Sequence, residues 1–399
     1  MDHSAISCQV VRDPAQIDLS EWYQVCDPND PLMDPRLLGA LQAAAGDDNQ
    51  FWYFTFFNSD SRPIAAACVS QFVIDAAMFA QPWTRRLLDG VRKIAPRYLK
   101  LRVLFCGLPL SSAGSNLRFA PGVDRPSVLE ALHRELKKLR RQQRAWVVVA
   151  KEFDEEERAH ADHLQRLGYL RVASLPMNTF RHPYGSFDAF LADVRSHYRY
   201  KINRSRKKFA KAGLRVEHLT DPATILKTYT PDLHRLYVDV VTKAEHKLEI
   251  LDHRFFVELV QRFGAQVSLT VVRQGERIMA FGWGLLTGDV YRNLFVGIDY
   301  TLNDESDVYF NLMVHDLDFG LRQGARELLV GQTSDVFKSR LGCQAELRFV
   351  YIKAGSWWLH MAMRATADWL FPPFAPPPQR DLLKPAEQAE SALSENAEA

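Results

Sequence analysis

A chain of 399 residues with 47% hydrophobic and 25% charged side chains is too apolar for intrinsic disorder and long enough to bury two or three cores. A formal net charge of +2 excludes a global field that would make the whole surface a nucleic-acid binder, so any such role rests on a local patch. The five cysteines, Cys8, Cys26, Cys68, Cys106 and Cys343, are widely spaced without a Cys-x-x-Cys pair, which argues against a disulfide framework or zinc knuckle and for a reducing compartment.

At the N-terminus, MDHSAISCQVVRDP lacks the apolar stretch of a secretory leader, and no uninterrupted apolar run approaches the ~20 residues needed to cross a bilayer, so a cytoplasmic protein is expected. The aromatic run 51–57 (FWYFTFF) predicts a buried strand, followed after a turn by strands at Ile64–Ile74 and Arg102–Cys106. Val128, Leu129, Leu132, Leu136 and Leu139 recur at helical spacing within 126–144. A strand at 146–150, a charged helix at 155–167 and a strand at 170–179 complete this half. On that charged helix His160, Asp162 and His163 lack a further ligand at metal spacing, and no metal is expected.

The second half repeats the order. A basic amphipathic helix is expected over 187–212, with Phe187, Phe190, Leu191, Val194, Tyr198 and Ile202 as its apolar stripe and Gly213 closing it. Strand 214–219, helical segments 223–244 and 254–263, strands 267–273, 277–286 and 290–298, helix 308–323 and strands 327–330 and 345–353 follow. The segments Gln274-Gly275-Glu276 and Thr287-Gly288-Asp289 are hairpin turns. Residues 356–371 (SWWLHMAMRATADWLF) carry only a narrow polar stripe of His360, Arg364 and Asp368. Such a helix buries more than one face, either between the two halves or at a membrane interface as a peripheral contact. At 1.5 Å per residue it spans ~24 Å, short of a bilayer core. The expected organisation is an α/β (α+β) chain of two tandem units, 1–181 and 182–355, each a mixed, mostly antiparallel sheet flanked by helices, then an apolar helix with a Pro-rich stop (356–378) and a disordered tail (379–399).

Between Arg195 and Lys211 lie eight basic residues in seventeen with no acid among them: Arg195, Arg199, Lys201, Arg204, Arg206, Lys207, Lys208 and Lys211. The cluster is either a solvated helix face or a docking site for an acidic partner, such as an acyl carrier protein, a tRNA backbone or anionic headgroups. No Gly-x-Ser-x-Gly elbow and no P-loop occurs, and His315-Asp316 is not a His-x-x-x-x-Asp element.

Strands, helix, strand, helix, strand, with LQRLGYLRV at 164–172, resembles the GNAT acyltransferase fold. Two such units, with the basic helix SHYRYKINRSRKKFAKAGLRVE (196–217) and the element VFKSRLG (336–342), resemble the FemABX-like and cellulose-biosynthesis-type acetyltransferase groups. The resemblance implies an N-acyltransferase of the GNAT-like kind. The acyl group would pass from a thioester, acyl-CoA or an acyl-phosphopantetheine on acyl carrier protein, to a small amine acceptor; the alternatives are a tRNA-dependent aminoacyltransferase and a non-catalytic module for an acidic partner. It makes unit 182–355 the active half and the first a degenerate copy that shapes the cleft. By the same resemblance Lys338 is a cation near the reacting carbonyl or the donor's phosphate, with Arg340 as a second candidate; Tyr309 is the acid for the leaving thiol; and His246, or either of Asp299 and Tyr300, faces the acceptor amine. The backbone amides of Phe295, Val296 and Gly297 would polarise the carbonyl, and Arg195, Arg199, Arg204, Lys207, Lys208 and Arg340 would hold the donor or its carrier. The sequence departs from the GNAT pattern where a glycine-rich loop holds the diphosphate of coenzyme A: residues 300–310 contain no glycine and three acids, Asp304, Glu305 and Asp307.

Overall fold

The computed structural model describes residues 6–46, 48–75, 100–108, 114–243, 250–301, 303–371, 374 and 380–384. In chain order the strands are Ser7–Val11 (β1), Gln50–Phe57 (β2), Pro63–Asp75 (β3), Lys100–Cys106 (β4), Leu117–Phe119 (β5), Val147–Phe153 (β6), Leu170–Phe180 (β7), Leu214–Leu219 (β8), Val267–Gln274 (β9), Arg277–Thr287 (β10), Val290–Ile298 (β11), Glu327–Leu329 (β12) and Gln344–Ala354 (β13). The chain divides into unit 1, residues 1–176 and 347–375, and unit 2, residues 177–346 and 376–399.

In unit 1 the strand order is β1-β2-β3-β4-β6-β13, with β5 beside β3. All these neighbours are antiparallel except β4 and β6, which run parallel from Val103↔Val147 to Cys106↔Ala150. Parallel strands need a crossover, and the helix Arg125–Gln143 supplies it. Its stripe Val128, Leu129, Leu132, Leu136 and Leu139 is buried against Trp52, Phe54, Phe56, Leu104 and Val148. Each such side chain contributes roughly 1.5–3 kcal/mol when fully withdrawn from water. The helix ends where Arg144 turns left-handed at φ 54°.

Unit 2 has the order β7-β12-β11-β10-β9-β8. Strands β8 to β11 form an antiparallel meander. β11 then pairs parallel with β12 across the helix Val308–Arg322, whose Met313, Val314, Leu317 and Leu321 pack on Phe180, Phe187, Phe190, Tyr291 and Leu328. An aromatic cluster of Tyr229, Tyr237, Phe255, Phe256, Trp283 and Phe295 forms with the helices Pro231–Lys243 and His253–Phe263.

The two-unit, mixed-sheet expectation matches this architecture, and several boundaries move. The division falls at 176/177 rather than 181/182, and residues 347–375 join unit 1. The cause is β13, whose Phe349–Ala354 pair with Phe153–Val147 of β6. The single helix expected over 187–212 is two, Phe187–Asp193 and Ser196–Lys211. Val194 at ψ 137° and Arg195 at ψ 142° are extended, because here the backbone pairs with residues 382–384 instead: Arg195 N–H donates to Leu382 O at 2.8 Å and Lys384 N–H to Asp193 O at 2.9 Å. Residues 380–384, expected in a disordered tail, thus form a strap on unit 2. The helix expected over 356–371 is Trp357–Ala365 and Ala367–Leu370, and no residue of Trp357–Ala365 is buried. An interior position for it is therefore corrected. Among the described residues no helix is long and apolar enough to cross a membrane.

Candidate functional site

β12 covers little of β11. It pairs only with Val290, Tyr291 and Arg292, while β11 continues to Ile298. From Asn293 onward that edge of β11 has no strand partner among the described residues. On the other edge, Asp299 N–H donates to Met279 O at 2.7 Å, in the register Ala280↔Ile298, Phe281↔Gly297, Gly282↔Val296 and Trp283↔Phe295. An antiparallel ladder alternates bonded and non-bonded pairs. The backbone groups of Phe295 and Gly297 are thus turned to β10 and consumed there, and of the three expected amides only that of Val296 faces the open edge. The register then slips, Trp283↔Phe295 giving way to Gly284↔Asn293, so that Leu294 is the extra residue of a bulge.

Beyond β12 the chain turns through residues 330–343, and this segment gathers two expected residues. Lys338 is buried to 2% exposure on the short helix Asp335–Lys338. Its Nζ lies against Gly331, 3.3 Å from where a Cβ would sit. Burial pushes the ammonium down to about 8, with Cys343 and Asp335 opposing that shift. Tyr309, at the start of the helix Val308–Arg322, stacks on Phe337 with ring centroids 4.9 Å apart. Burial raises its phenol to about 12, partly offset by a hydrogen bond with Ser334. Lys338 and Tyr309 therefore belong to one constellation, joined through Ser334 and Phe337.

Next to it opens a cavity of about 590 Å³ lined by Asn178, His182, Asp335, Ser339, Cys343 and Arg380, among others. Asn178, at the end of β7, donates through Nδ2 to Gly331 O at 2.9 Å and to Asp335 Oδ1 at 2.7 Å, which fixes the start of the Lys338 loop. His182 Nε2 lies 3.1 Å from Gly342 O. A carbonyl only accepts, so Nε2 is the donor of this pair. The neighbouring Thr179, which does not line the cavity, has a buried hydroxyl without a hydrogen-bond partner among the described residues. Asn178, Thr179 and His182 escaped sequence reading because they are isolated polar residues around a strand end; their one signal is polar side chains inside an apolar strand, NTF after LPM.

The remaining expected residues are placed elsewhere. Asp299 is engaged by Arg277 at 2.5 Å and by Thr301 N–H at 3.0 Å. Burial would raise its carboxyl, but those hydrogen bonds and the Arg277 charge hold it below the ordinary range. The carboxylate expected at the acceptor amine is thus engaged in an ion pair with Arg277. His246 lies outside the described residues. Arg340 is exposed on the 3-10 turn Ser339–Leu341 that follows Lys338. Just before the basic helix Arg195 binds Asp381 and Leu383 O; on it Arg199 donates to Ala192 O, Arg206 pairs with Asp188 at 2.7 Å and Lys208 with Asp307 at 3.4 Å. Arg204, Lys207 and Lys211 are left on the exposed face. The loop that departs from the GNAT pattern forms the helical turn Asn303–Ser306 and ends at Asp307, left-handed at φ 51°, just before the next helix. An acid stands where a diphosphate would need amides.

A buried acid lies against the β9–β11 meander. Asp316 accepts from Thr270 Oγ1 at 2.5 Å and Asn293 Nδ2 at 2.8 Å, with Tyr291 OH at 3.4 Å. Burial raises it to about 6 against the pull of those three donors.

The equivalent place in unit 1 is shut. β4 is paired with β6 to its last residue, Cys106. The buried Lys151 then donates to Leu108 O at 3.0 Å, with its stem so close to Gly107 that any Cβ there would collide. Asp162 is held by Arg171 and Tyr351, and His163 by Glu130.

Comparison with known proteins bears on the family and the fold. The FemAB-like family model, described as peptidoglycan biosynthesis/recognition, matches residues 15–295, more than half of the chain. No curated protein matches it in sequence. Among solved structures it is similar to a tandem GNAT protein from the clavulanic acid biosynthesis pathway (TM-score 0.50, 13% identity, covering 88% of this chain and 99% of that one). It is also similar to FemX (TM-score 0.47, 11% identity, 78% and 89%). A third is the C-terminal domain of a putative lysylphosphatidylglycerol synthetase from Agrobacterium fabrum (TM-score 0.48, 10% identity, 86% and 93%). At 13% identity the tandem GNAT protein speaks for the fold alone, a tandem GNAT arrangement, and the family match does the rest: the chain belongs to the FemAB-like family.

Proposed function

We propose that unit 2 transfers an acyl or aminoacyl group from an activated donor to an amine, at the open edge of β11 beside Lys338 and Tyr309. FemAB-like membership and the GNAT-type fold support acyl or aminoacyl transfer in general. The observation that carries the site is a lysine at 2% exposure, on a short helix whose Asp335 and following Ser339 line the cavity. The amine attacks the carbonyl carbon directly, with no covalent enzyme intermediate. The Val296 N–H and the Lys338 ammonium stabilise the oxyanion that forms. As the tetrahedral intermediate collapses, the bond to the leaving atom breaks and that atom takes the Tyr309 proton. The amine's own proton leaves to a base, for which His246 is the residue proposed. Unit 1, its equivalent opening filled by Lys151, serves as the degenerate copy.

The donor is a thioester, and Asp307 together with the glycine-free loop favours delivery on acyl carrier protein over acyl-CoA in the usual GNAT pose. The exposed Arg204, Lys207 and Lys211 suit an acidic carrier. Family membership favours a second reading, an aminoacyl-tRNA docked on the same face. The deciding experiment offers the purified chain an acyl carrier protein thioester, acyl-CoA and aminoacyl-tRNA separately, with a mixture of amine acceptors, and follows release of free carrier. Release from none of the three, with wild-type protein folded, would reject transfer.

A further inference from the structure

The segment 356–371 holds a surface that the transfer chemistry leaves unused. Leu359 and Met363, with Ala367 and Phe371, pack on Val103, Val147, Val172 and Ile352 of unit 1. Beside that inner face His360 is half-buried. Outward stand Trp357 at 78% exposure, Trp358 at 60% and Met361 at 43%, followed by Trp369 at 66%. Trp146, 46% exposed, belongs to the same corner, because Gly355 N–H donates to its carbonyl at 2.7 Å. Single exposed apolar residues are ordinary; four tryptophans on one corner are not.

Charge selects the occupant. Arg364 lies one turn beyond Met361 on the outer side of the helix and is exposed. Arg140, Arg141 and Arg144 close the helix Arg125–Gln143 just before Trp146, and a Cβ on Gly355 would collide with the Arg140 guanidinium. Burial, then Lys353 and Arg364, keep the His360 imidazole below its ordinary range, a local sign of positive potential. Asp368 is the exposed acid of the segment. Arg141, Arg144 and Arg364 form no ion pair among the described residues. A second copy of this chain would bring the same cations to the contact. The headgroup layer of an anionic bilayer takes both features, indoles at the ester level and guanidinium groups against phosphate. A nine-residue helix is only ~14 Å long, so it lies in that layer rather than across the membrane.

We propose that this corner is an interfacial anchor that seats Trp357, Trp358, Met361 and Trp369 in the headgroup region of an anionic bilayer, with Arg141, Arg144 and Arg364 on the phosphates. It stands apart from the transfer reading, since the measurement needs neither donor nor acceptor. The full chain is sedimented with vesicles of phosphatidylcholine alone and of phosphatidylcholine mixed with phosphatidylglycerol. Expected is binding to the mixed vesicles at least tenfold tighter than to the neutral ones. Trp357→Ser, Trp358→Ser and Trp369→Ser together should weaken it more than tenfold. Arg141→Glu, Arg144→Glu and Arg364→Glu together should remove the anionic preference, at about fivefold per basic residue. Thermal unfolding checks that each variant is folded, and the arginine set gives the same readout should the tryptophan set fail to fold. Three results would overturn the proposal: no co-sedimentation of folded wild type, binding to RNA that the same variants abolish while vesicles are ignored, or a dimer that the tryptophan substitutions dissociate.

Discussion

Lys338→Met separates a working cation from a packing residue. In the folded chain the ammonium is buried and its pKa is about 8, against 10.5 for an exposed lysine. At ~1.36 kcal/mol for each pH unit between the two, holding the charge costs about 3 kcal/mol at pH 7. The folded pKa lies below the unfolded one, so between about pH 8 and pH 10.5 the unfolded chain binds more protons than the folded one. This group's contribution therefore rises with pH through that window and is flat below it. Methionine keeps most of the volume and removes the charge. The variant should be more stable than wild type near pH 7 by up to about 3 kcal/mol, with the difference shrinking as pH approaches the lysine range. Urea unfolding at a neutral and an alkaline pH measures both quantities. If Lys338 also stabilises the reacting oxyanion, the same variant should lose on the order of 10²–10³ in turnover, more stable and less active at once. A variant with unchanged stability and unchanged pH slope would refute the desolvated cation. A stabilised variant with normal turnover would remove Lys338 from the chemistry.

Tyr309→Phe should slow transfer most for donors with poor leaving groups and least for activated thioesters; an equal loss on all donors would make the residue a packing element. Arg204→Glu with Lys207→Glu should raise the donor KM at least tenfold and flatten its salt dependence without altering the Lys208–Asp307 pair, and unchanged donor kinetics at low salt would end the docking role. Asp316 is protonated more readily in the fold, at about 6, than the ordinary 3.8. Its contribution is thus complete below about pH 4 and is lost, by about 3 kcal/mol, as pH rises through 6. Asp316→Asn should flatten that part of the stability profile, and a profile identical to wild type would show that the carboxyl is not the source.

Local pattern made the frame of the protein legible. The spacing of Val128, Leu129, Leu132, Leu136 and Leu139 is a fixed helical stripe, and FWYFTFF between turn residues could only be a buried strand, because side-chain period follows from backbone geometry alone. The order of those elements, used twice, pointed to a tandem GNAT fold, and VFKSRLG pointed to Lys338. Short edge pieces such as β1 were missed, since SCQVV has too few apolar residues to announce itself without its partner β2.

What the chain alone determined is which segments are helix or strand and which polar residues stand at their ends. Tertiary structure alone decided the rest, because burial and pairing are properties of segments far apart in sequence. Only the pairing of β13 with β6 moved residues 347–375 into unit 1. Only the strand register showed that Phe295 and Gly297 spend their amides on β10 while Val296 faces the open edge. Only packing withdrew Lys338 from water, opened the cavity around Asn178 and left Trp357 and Trp358 outside. A sequence states what each side chain is; its solvation, and hence its charge and its chemistry, is set by neighbours that the fold brings from elsewhere in the chain.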